Sequence, residues 1–221
     1  MNWNGMLSLL VASMELLFLV NLLIFAEKNK LNLIAELLIF ILMLYQFLEF
    51  IICRTGTNNS WIIYIAFSVI AFLPPLALLF VLKIKGFKSK FFKLIFLPPL
   101  FFTIFYLFQI NDFHLIECTS FYSIYQYPYG NLYGFFYYVP IIASIIFLIN
   151  EILKNRKIEI IAVLIGFLII SFPVLLAFIL KMFGDERLIT AIVSVTCKTA
   201  FLFALAIFYF ALTNKTKKEN E

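Results

Sequence analysis

Seven long runs of apolar residues divide the chain almost from end to end, and they limit its fold more than any other feature. Each run has roughly the 20 residues that a helix needs to cross a hydrocarbon core about 30 Å thick. Hydrophobic residues make up 64% of the 221 residues and charged residues 13%, too apolar a composition for a soluble domain of this size. The runs lie at about 5–26, 31–52, 60–82, 92–110, 134–153, 159–180 and 188–213.

These runs predict an all-α, polytopic membrane protein whose seven transmembrane helices form a bundle over residues 1–213. Residues 214–221 would then form a short charged tail on the cytoplasmic side. The first run is too long for a cleavable signal segment, and no basic stretch precedes it.

The basic residues predict how this bundle is oriented. Thirteen of the 17 lie in loops on one side of the membrane, and only Arg54, Lys181 and Arg187 lie on the other. By the positive-inside rule, the N-terminus is outside and the C-terminus is cytoplasmic, as in a multi-pass protein of the cell membrane. The net charge of +5 therefore reflects orientation and contact with membrane lipid, and it does not indicate nucleic-acid binding. The 13 residues are Lys28, Lys30, Lys83, Lys85, Lys88, Lys90, Lys93, Lys154, Arg156, Lys157, Lys215, Lys217 and Lys218.

The outer loop at 111–133 is the one long connection, and it is unusually aromatic. Long loops in compact proteins are often functional, so the loop either forms an interfacial aromatic belt or also covers a pocket. Its aromatic residues are Phe113, Phe121, Tyr122, Tyr125, Tyr127, Tyr129 and Tyr133.

Two proline pairs lie at similar depth in the predicted inner half of the third and fourth helices, Pro74 and Pro75 in one and Pro98 and Pro99 in the other. Each proline removes an amide donor and clashes with the preceding turn, which predicts a kink. Kinks at one depth would open a cavity or a hinge between the two helices. The simpler interpretation is that neighbouring helices tolerate them, as in many membrane proteins.

Glu15 and Lys198 are the deepest ionisable residues, each about 15 Å from the outer end of its helix. A buried ion pair between them is the prediction, either as an orientation lock or as part of a polar, proton-linked site. A lysine in the seventh helix also resembles the Schiff-base lysine of retinal proteins. The third helix, however, has no acidic residue to serve as counter-ion, which argues against retinal.

A second polar group is expected in the outer half. Gln46, Glu49 and Cys53 share one face of the second helix, and the outer loop contributes His114, Glu117 and Cys118. Cys53 and Cys118 both lie on the oxidising side, so they are candidates for a disulfide. The predicted ligand-binding residues are Gln46, Glu49, His114, Glu117 and Tyr129.

Imidazole and carboxylates could also hold a metal ion, but the spacing matches no recognised metal motif, and we predict none. The chain has no H-E-x-x-H, G-x-S-x-G or P-loop pattern. The sequence therefore leans against an enzyme and leaves the cofactor unknown.

The whole chain resembles an uncharacterised family of prokaryotic seven-transmembrane proteins. It is also similar to the seven-helix sensor region of bacterial histidine kinases, in which a Pro-Leu-rich run ends the third helix and an Asn-x-x-His segment follows the fourth. Lys198 is not expected from either resemblance. The matching features are Gln46–Glu49, Trp61 and the 74–77 stretch, Asn111–His114, Tyr127–Gly130, and more weakly Ser194 and Cys197.

The resemblance implies a receptor-like or sensor-like protein that binds a small or lipidic ligand in the outer half of the bundle. Because no kinase follows before Glu221, the signal would pass to a separate cytoplasmic partner. Two alternatives stay open: a proton-coupled transporter that uses Glu15 and Lys198, and a lipid-modifying enzyme that uses the outer carboxylates with His114.

Overall fold

A computed structural model describes residues 5–56, 59–87, 90–119, 123–181 and 186–214. Eight α-helices and one β-hairpin make up most of this part of the chain. Residues 215–221 of the predicted tail lie outside the described residues, as do Phe121 and Tyr122 of the aromatic loop. The elements are α1 (Met6–Phe25), α2 (Lys30–Thr55), α3 (Ser60–Ala71), α4 (Leu73–Ile84), α5 (Leu97–Phe108), β1 (His114–Cys118), β2 (Ser123–Gln126), α6 (Gly130–Lys154), α7 (Ile158–Lys181) and α8 (Glu186–Thr213), with 3₁₀ segments at Lys90–Phe96 and Ile110–Asp112.

Five helical segments are long and apolar enough to cross a membrane. They are α1, α2, the combined α3 and α4, α6, and the Ile158–Ala177 part of α7. The other two predicted crossings fall on shorter apolar helical stretches, Phe92–Phe108 and Lys198–Thr213. The described structure is therefore that of a helical membrane protein, while the count of seven crossings and their orientation remain predictions.

Helix α8 packs against α7 along much of its length and also against α1 and α2, so the first and last helices are neighbours. Gly166 of α7 permits the close approach to α8, because a Cβ there would lie 2.9 Å from the Cβ of Ala206. Phe167 and Phe203, both almost fully buried, meet beside it with ring centroids 4.8 Å apart. These contacts place the middle of α8 in the interior of the bundle.

Both proline pairs follow interruptions of a helix. Pro74 and Pro75 lie in the first turn of α4, directly after α3 ends, and Pro98 and Pro99 lie in the first turn of α5, after a 3₁₀ segment. The first turn of a helix does not need its amide hydrogens for internal bonds, so proline is well tolerated there. Pro75, Pro98 and Pro99 line one small cavity of about 20 Å³, which is roughly the space of a single water molecule.

The aromatic loop folds into an antiparallel hairpin, which was not among the predicted elements. His114 lies opposite Gln126 and Cys118 opposite Ser123, with an irregularity between Leu115 and Glu117. We call the end of the bundle that it covers the hairpin end. The described structure is therefore mainly helical, as predicted, with this small two-stranded sheet in addition.

An aromatic core lies beneath the hairpin. Phe113 is fully buried, and its ring contacts those of Tyr106 and Phe67 at 5.2 and 5.4 Å. Two hydrogen bonds join the flanks of the hairpin to the helices, from Ser60 Oγ–H to the Phe113 carbonyl and from Tyr106 Oη–H to the Pro128 carbonyl. Several of the loop aromatics thus pack inside the protein and hold the hairpin over the bundle.

Candidate functional site

A cluster of buried polar side chains inside the bundle is centred on the Lys198 ammonium group. Its Nζ donates hydrogen bonds to Ser8 Oγ at 2.7 Å, to Gln46 Oε1 at 2.9 Å and to Glu49 Oε2 at 2.6 Å. An ammonium group has three donors, so these three acceptors satisfy all of them. The Lys198 side chain is 9% exposed and that of Glu49 2%, which makes this a buried and fully bonded ion pair.

Helices α1, α2 and α8 contribute to this cluster through their buried faces. Gln46 and Glu49 are one turn apart on α2 and are 0% and 1% exposed, and Ser8 of α1 is 2% exposed. A buried charge in an apolar medium is stable only when its partners are in place. The three helices are therefore held in one rotational setting.

The predicted ion pair between Glu15 and Lys198 is not formed, because Lys198 pairs with Glu49 instead. Glu15 is fully buried, and neither of its carboxylate oxygens has a hydrogen-bond partner among the described residues. The lysine side chain extends toward Ser8, which precedes Glu15 by seven residues, or about two helical turns. The flexible stem of lysine, whose direction sequence spacing does not fix, accounts for the difference.

The hairpin reaches this cluster through Ser123. Its Oγ donates a hydrogen bond of 2.6 Å to Glu49 Oε1, while the other oxygen of Glu49 accepts from Lys198. Glu49 thus bridges the first residue of β2 and the middle of α8. This bond joins residues 74 positions apart, and no local sequence signal identifies Ser123 as part of the site.

A disulfide between Cys53 and Cys118 fastens β1 to α2, with Cα atoms 5.6 Å apart. Cys53 is one turn beyond Glu49 on the same face of α2, so the covalent bond and the Ser123 hydrogen bond anchor adjacent parts of the hairpin. Gly5 packs against this anchor, and its amide donates to the Thr119 carbonyl at 3.2 Å.

Replacing Gly5 with alanine is expected to destabilise the protein by about 1–3 kcal/mol. Gly5 has φ of +74°, and an added Cβ would lie 2.8 Å from the Cβ of Cys53. Gly56→Ala is the matched control, since Gly56 has φ of +60° with nothing within 4 Å and suffers only the backbone strain. Thermal unfolding in detergent should show a larger loss for Gly5→Ala; equal losses would contradict the tight packing against Cys53.

The predicted ligand-binding residues separate into two layers. Gln46 and Glu49 lie in the buried cluster, whereas His114 and Glu117 are exposed on β1. Tyr129 is 63% exposed and adopts a left-handed φ of 55° where α6 begins. The structure therefore does not gather all five residues around one pocket.

No group of three or more His, Cys, Asp or Glu side chains in the described ranges could hold a metal ion. A larger cavity, of about 290 Å³, lies at the end of the bundle opposite the hairpin, where Ile84, Lys157, Phe210 and Asn214 are among its lining residues. Neither it nor the small proline-lined cavity includes Lys198 or Glu49. The side chains of the buried cluster therefore bond to one another and do not line either of these cavities.

Ser8 and Ser123 are the members of the cluster absent from the predicted site. Ser8 shares a helix face with Glu15, so the sequence did carry a signal for it, but Ser123 has none.

The comparisons with known proteins agree with a sensor region. A protein family described as the N-terminal 7TM region of histidine kinase matches residues 8–216. No curated protein and no solved structure matches the chain. The family match includes all the residues of the buried cluster together with the hairpin. The chain belongs to the family of N-terminal seven-transmembrane regions of histidine kinases.

Proposed function

We propose that this protein senses a small or lipidic ligand at its hairpin end and passes the signal through Lys198 to α8. Membership in a family of histidine-kinase sensor regions supports a sensor-like membrane function and a cytoplasmic signalling partner. The proposal further places the hairpin outside the cell and all seven apolar segments across the membrane, in keeping with the distribution of basic residues.

The observation that carries this proposal is the bridge through Glu49. One of its oxygens is bonded to the hairpin and the other to α8. A ligand that displaces the hairpin would remove a hydrogen bond from Glu49 and change the environment of the Lys198 charge. Charge-assisted bonds in a buried site are strong enough to bias a packed helix between two positions.

The exposed surface of the hairpin supplies the groups that a ligand would meet first. His114 and Gln126 lie opposite each other across the two strands, Glu117 follows on β1, and all three are exposed. Tyr129, where α6 begins, is 63% exposed. Imidazole, carboxylate, amide and phenol groups near the membrane surface suit a polar ligand or a lipid headgroup.

Changing Ser123 to alanine tests the bridge without altering the ion pair itself. Hydrogen exchange of the full-length protein in lipid nanodiscs should become faster in the part of α8 around Lys198, because Glu49 loses one of its fixed bonds. Ser171→Ala is the matched control, since Ser171 lies on α7 and its hydroxyl donates to the Phe167 carbonyl of its own helix. Unchanged exchange of α8 in Ser123→Ala would contradict the proposed route.

Native mass spectrometry of the purified full-length chain tests ligand binding. We expect a co-purifying compound on the wild-type protein that is lost or strongly reduced in the double variant His114→Ala, Glu117→Ala. Both residues are exposed, so their loss should leave the fold intact. Lys28→Met, a change at an exposed residue far from the hairpin, is the control and should retain the compound as the wild type does. Absence of any co-purifying compound from the wild type would contradict the proposal.

A further inference from the structure

Glu15 of α1 is a buried acid close to the Lys198 cluster. Unlike Glu49, it makes no hydrogen bond through its carboxylate within the described ranges. The side chain is fully buried, and both carboxylate oxygens lack a hydrogen-bond partner within the described ranges. An ionised carboxylate without hydrogen bonds is strongly disfavoured in such surroundings. The neutral acid, which carries a proton, is far less costly to bury.

Glu15 nevertheless lies near the depth of Lys198, on the side of it that faces away from the hairpin end. Ser8 contacts Lys198, and Phe18 stacks on Phe201 and Phe208 with ring centroids 5.6 and 4.7 Å apart, so α1 and α8 run in the same direction. Phe18 follows Glu15 by three residues, as Phe201 follows Lys198. The lysine stem then extends from this level toward the hairpin end, away from Glu15.

The groups facing Glu15 limit which charges can respond to it. Helix α1 packs against α2 and α8. Near this part of α1, the buried titratable side chains described on those two helices are Tyr45 and Glu49 of α2 and Lys198 of α8. Glu36, also buried, belongs to the other end of α2 and pairs with Lys28. Lys198 is therefore the cation available to both carboxyl groups.

We propose that Glu15 is a proton-binding site and the second partner of Lys198. In the state described here, Glu49 is ionised, Lys198 is bonded to it, and Glu15 holds the proton. In the other state, Glu49 takes up a proton, Glu15 releases one, and Lys198 turns inward to pair with the Glu15 carboxylate. Lys198 stays protonated throughout, so one proton is gained and one is lost and the net charge of the cluster does not change.

This exchange gives the bundle two arrangements with the same net charge, so neither leaves an uncompensated charge in the low-dielectric interior. Moving the lysine from a partner on α2 to a partner on α1 changes which helix α8 is fastened to. A ligand at the hairpin would favour the exchange by withdrawing Ser123 from Glu49. Glu15 would hold its proton in the present state even if no ligand bound the hairpin.

Infrared spectroscopy of the full-length protein in nanodiscs tests the proton on Glu15. The wild type should show a protonated-carboxyl band that is lost in Glu15→Gln, whose amide replaces the neutral acid at nearly the same volume. Glu36→Gln is the matched control and should keep the band, since it removes a buried carboxyl that already has a lysine partner. Identical spectra for wild type and Glu15→Gln would overturn the proton-binding site.

Glu49→Gln tests the exchange of partners. With Glu49 neutral, Lys198 should turn to Glu15, and the Glu15 carboxyl band should disappear as that acid ionises. Glu15→Gln should then lower the melting temperature in the Glu49→Gln background while having little effect in the wild type.

Retention of the Glu15 band in Glu49→Gln, or equal effects of Glu15→Gln on the melting temperature in both backgrounds, would overturn the exchange. If Glu49→Gln does not fold, Ser123→Ala, which removes a hydrogen bond from Glu49, should weaken the Glu15 band relative to the control Ser171→Ala, and an unchanged band would overturn the exchange.

Discussion

Replacing Lys198 with methionine is expected to destabilise the protein by about 3–5 kcal/mol, because it removes the cation from a buried carboxylate. Glu49 would lose its ionic partner while remaining 2% exposed, and Ser8 and Gln46 would lose the donor that both share. Denaturation of the purified protein in mixed detergent micelles, followed by circular dichroism, measures the loss.

Two companion variants make this result specific. Lys28→Met removes a salt bridge to Glu36 in which the lysine side chain is 63% exposed, so water can replace much of the lost contact and the cost should be clearly smaller than that of Lys198→Met. The double variant Lys198→Met, Glu49→Gln should recover part of the loss, because no unpaired charge then remains in the interior. If Lys198→Met cost no more than Lys28→Met, the ion pair with Glu49 would not be a structural element of the bundle.

Breaking the disulfide by changing Cys53 to serine is expected to cost about 2–4 kcal/mol. The bond joins residues 65 positions apart, so its loss frees a long segment in the unfolded chain. It also removes the covalent anchor of β1 and leaves the Ser123 bond to hold that side of the hairpin. Hydrogen exchange should therefore increase in β1 and β2 well before it increases in α2.

The third cysteine provides the control for this experiment. Cys197 lies in α8, and its replacement by serine leaves the disulfide intact. Only Cys53→Ser should change mobility on a non-reducing gel, and reductant should give the wild type the mobility of that variant. A wild-type protein insensitive to reductant would contradict the anchor.

The sequence was most informative about the features that depend on the lipid bilayer acting as the solvent, namely the positions of the apolar helices. Because each bilayer crossing needs a long apolar segment, the segment positions follow from the residue types alone, and the helices lie close to them. The same reasoning singled out the polar residues of the interior, since burying an ionisable group in an apolar segment requires a partner. Glu15 and Lys198 are predicted in this way, whereas Gln46 and Glu49 are predicted from the face of the second helix that they share.

The hairpin was less accessible from sequence because its strands are short and their alternation is irregular. The pairing shifts between Leu115 and Glu117, and several of its aromatic neighbours are buried in a core shared with α3, α5 and α6. Such a core is visible only once distant segments have come together. The aromatic composition of a loop therefore predicts that it lies at the membrane surface. It does not show whether the loop is a simple interfacial belt or a folded lid.

Sequence alone determined that this chain is embedded in a membrane as apolar helices and that a few ionisable side chains lie inside. Only the tertiary structure decided which of them meet. Helix rotation and the direction of a flexible lysine stem turn Lys198 away from Glu15 toward Glu49, and Ser123 arrives from 74 residues away. Spacing along one helix fixes a face and a depth, whereas a partner on another helix depends on how the whole bundle packs.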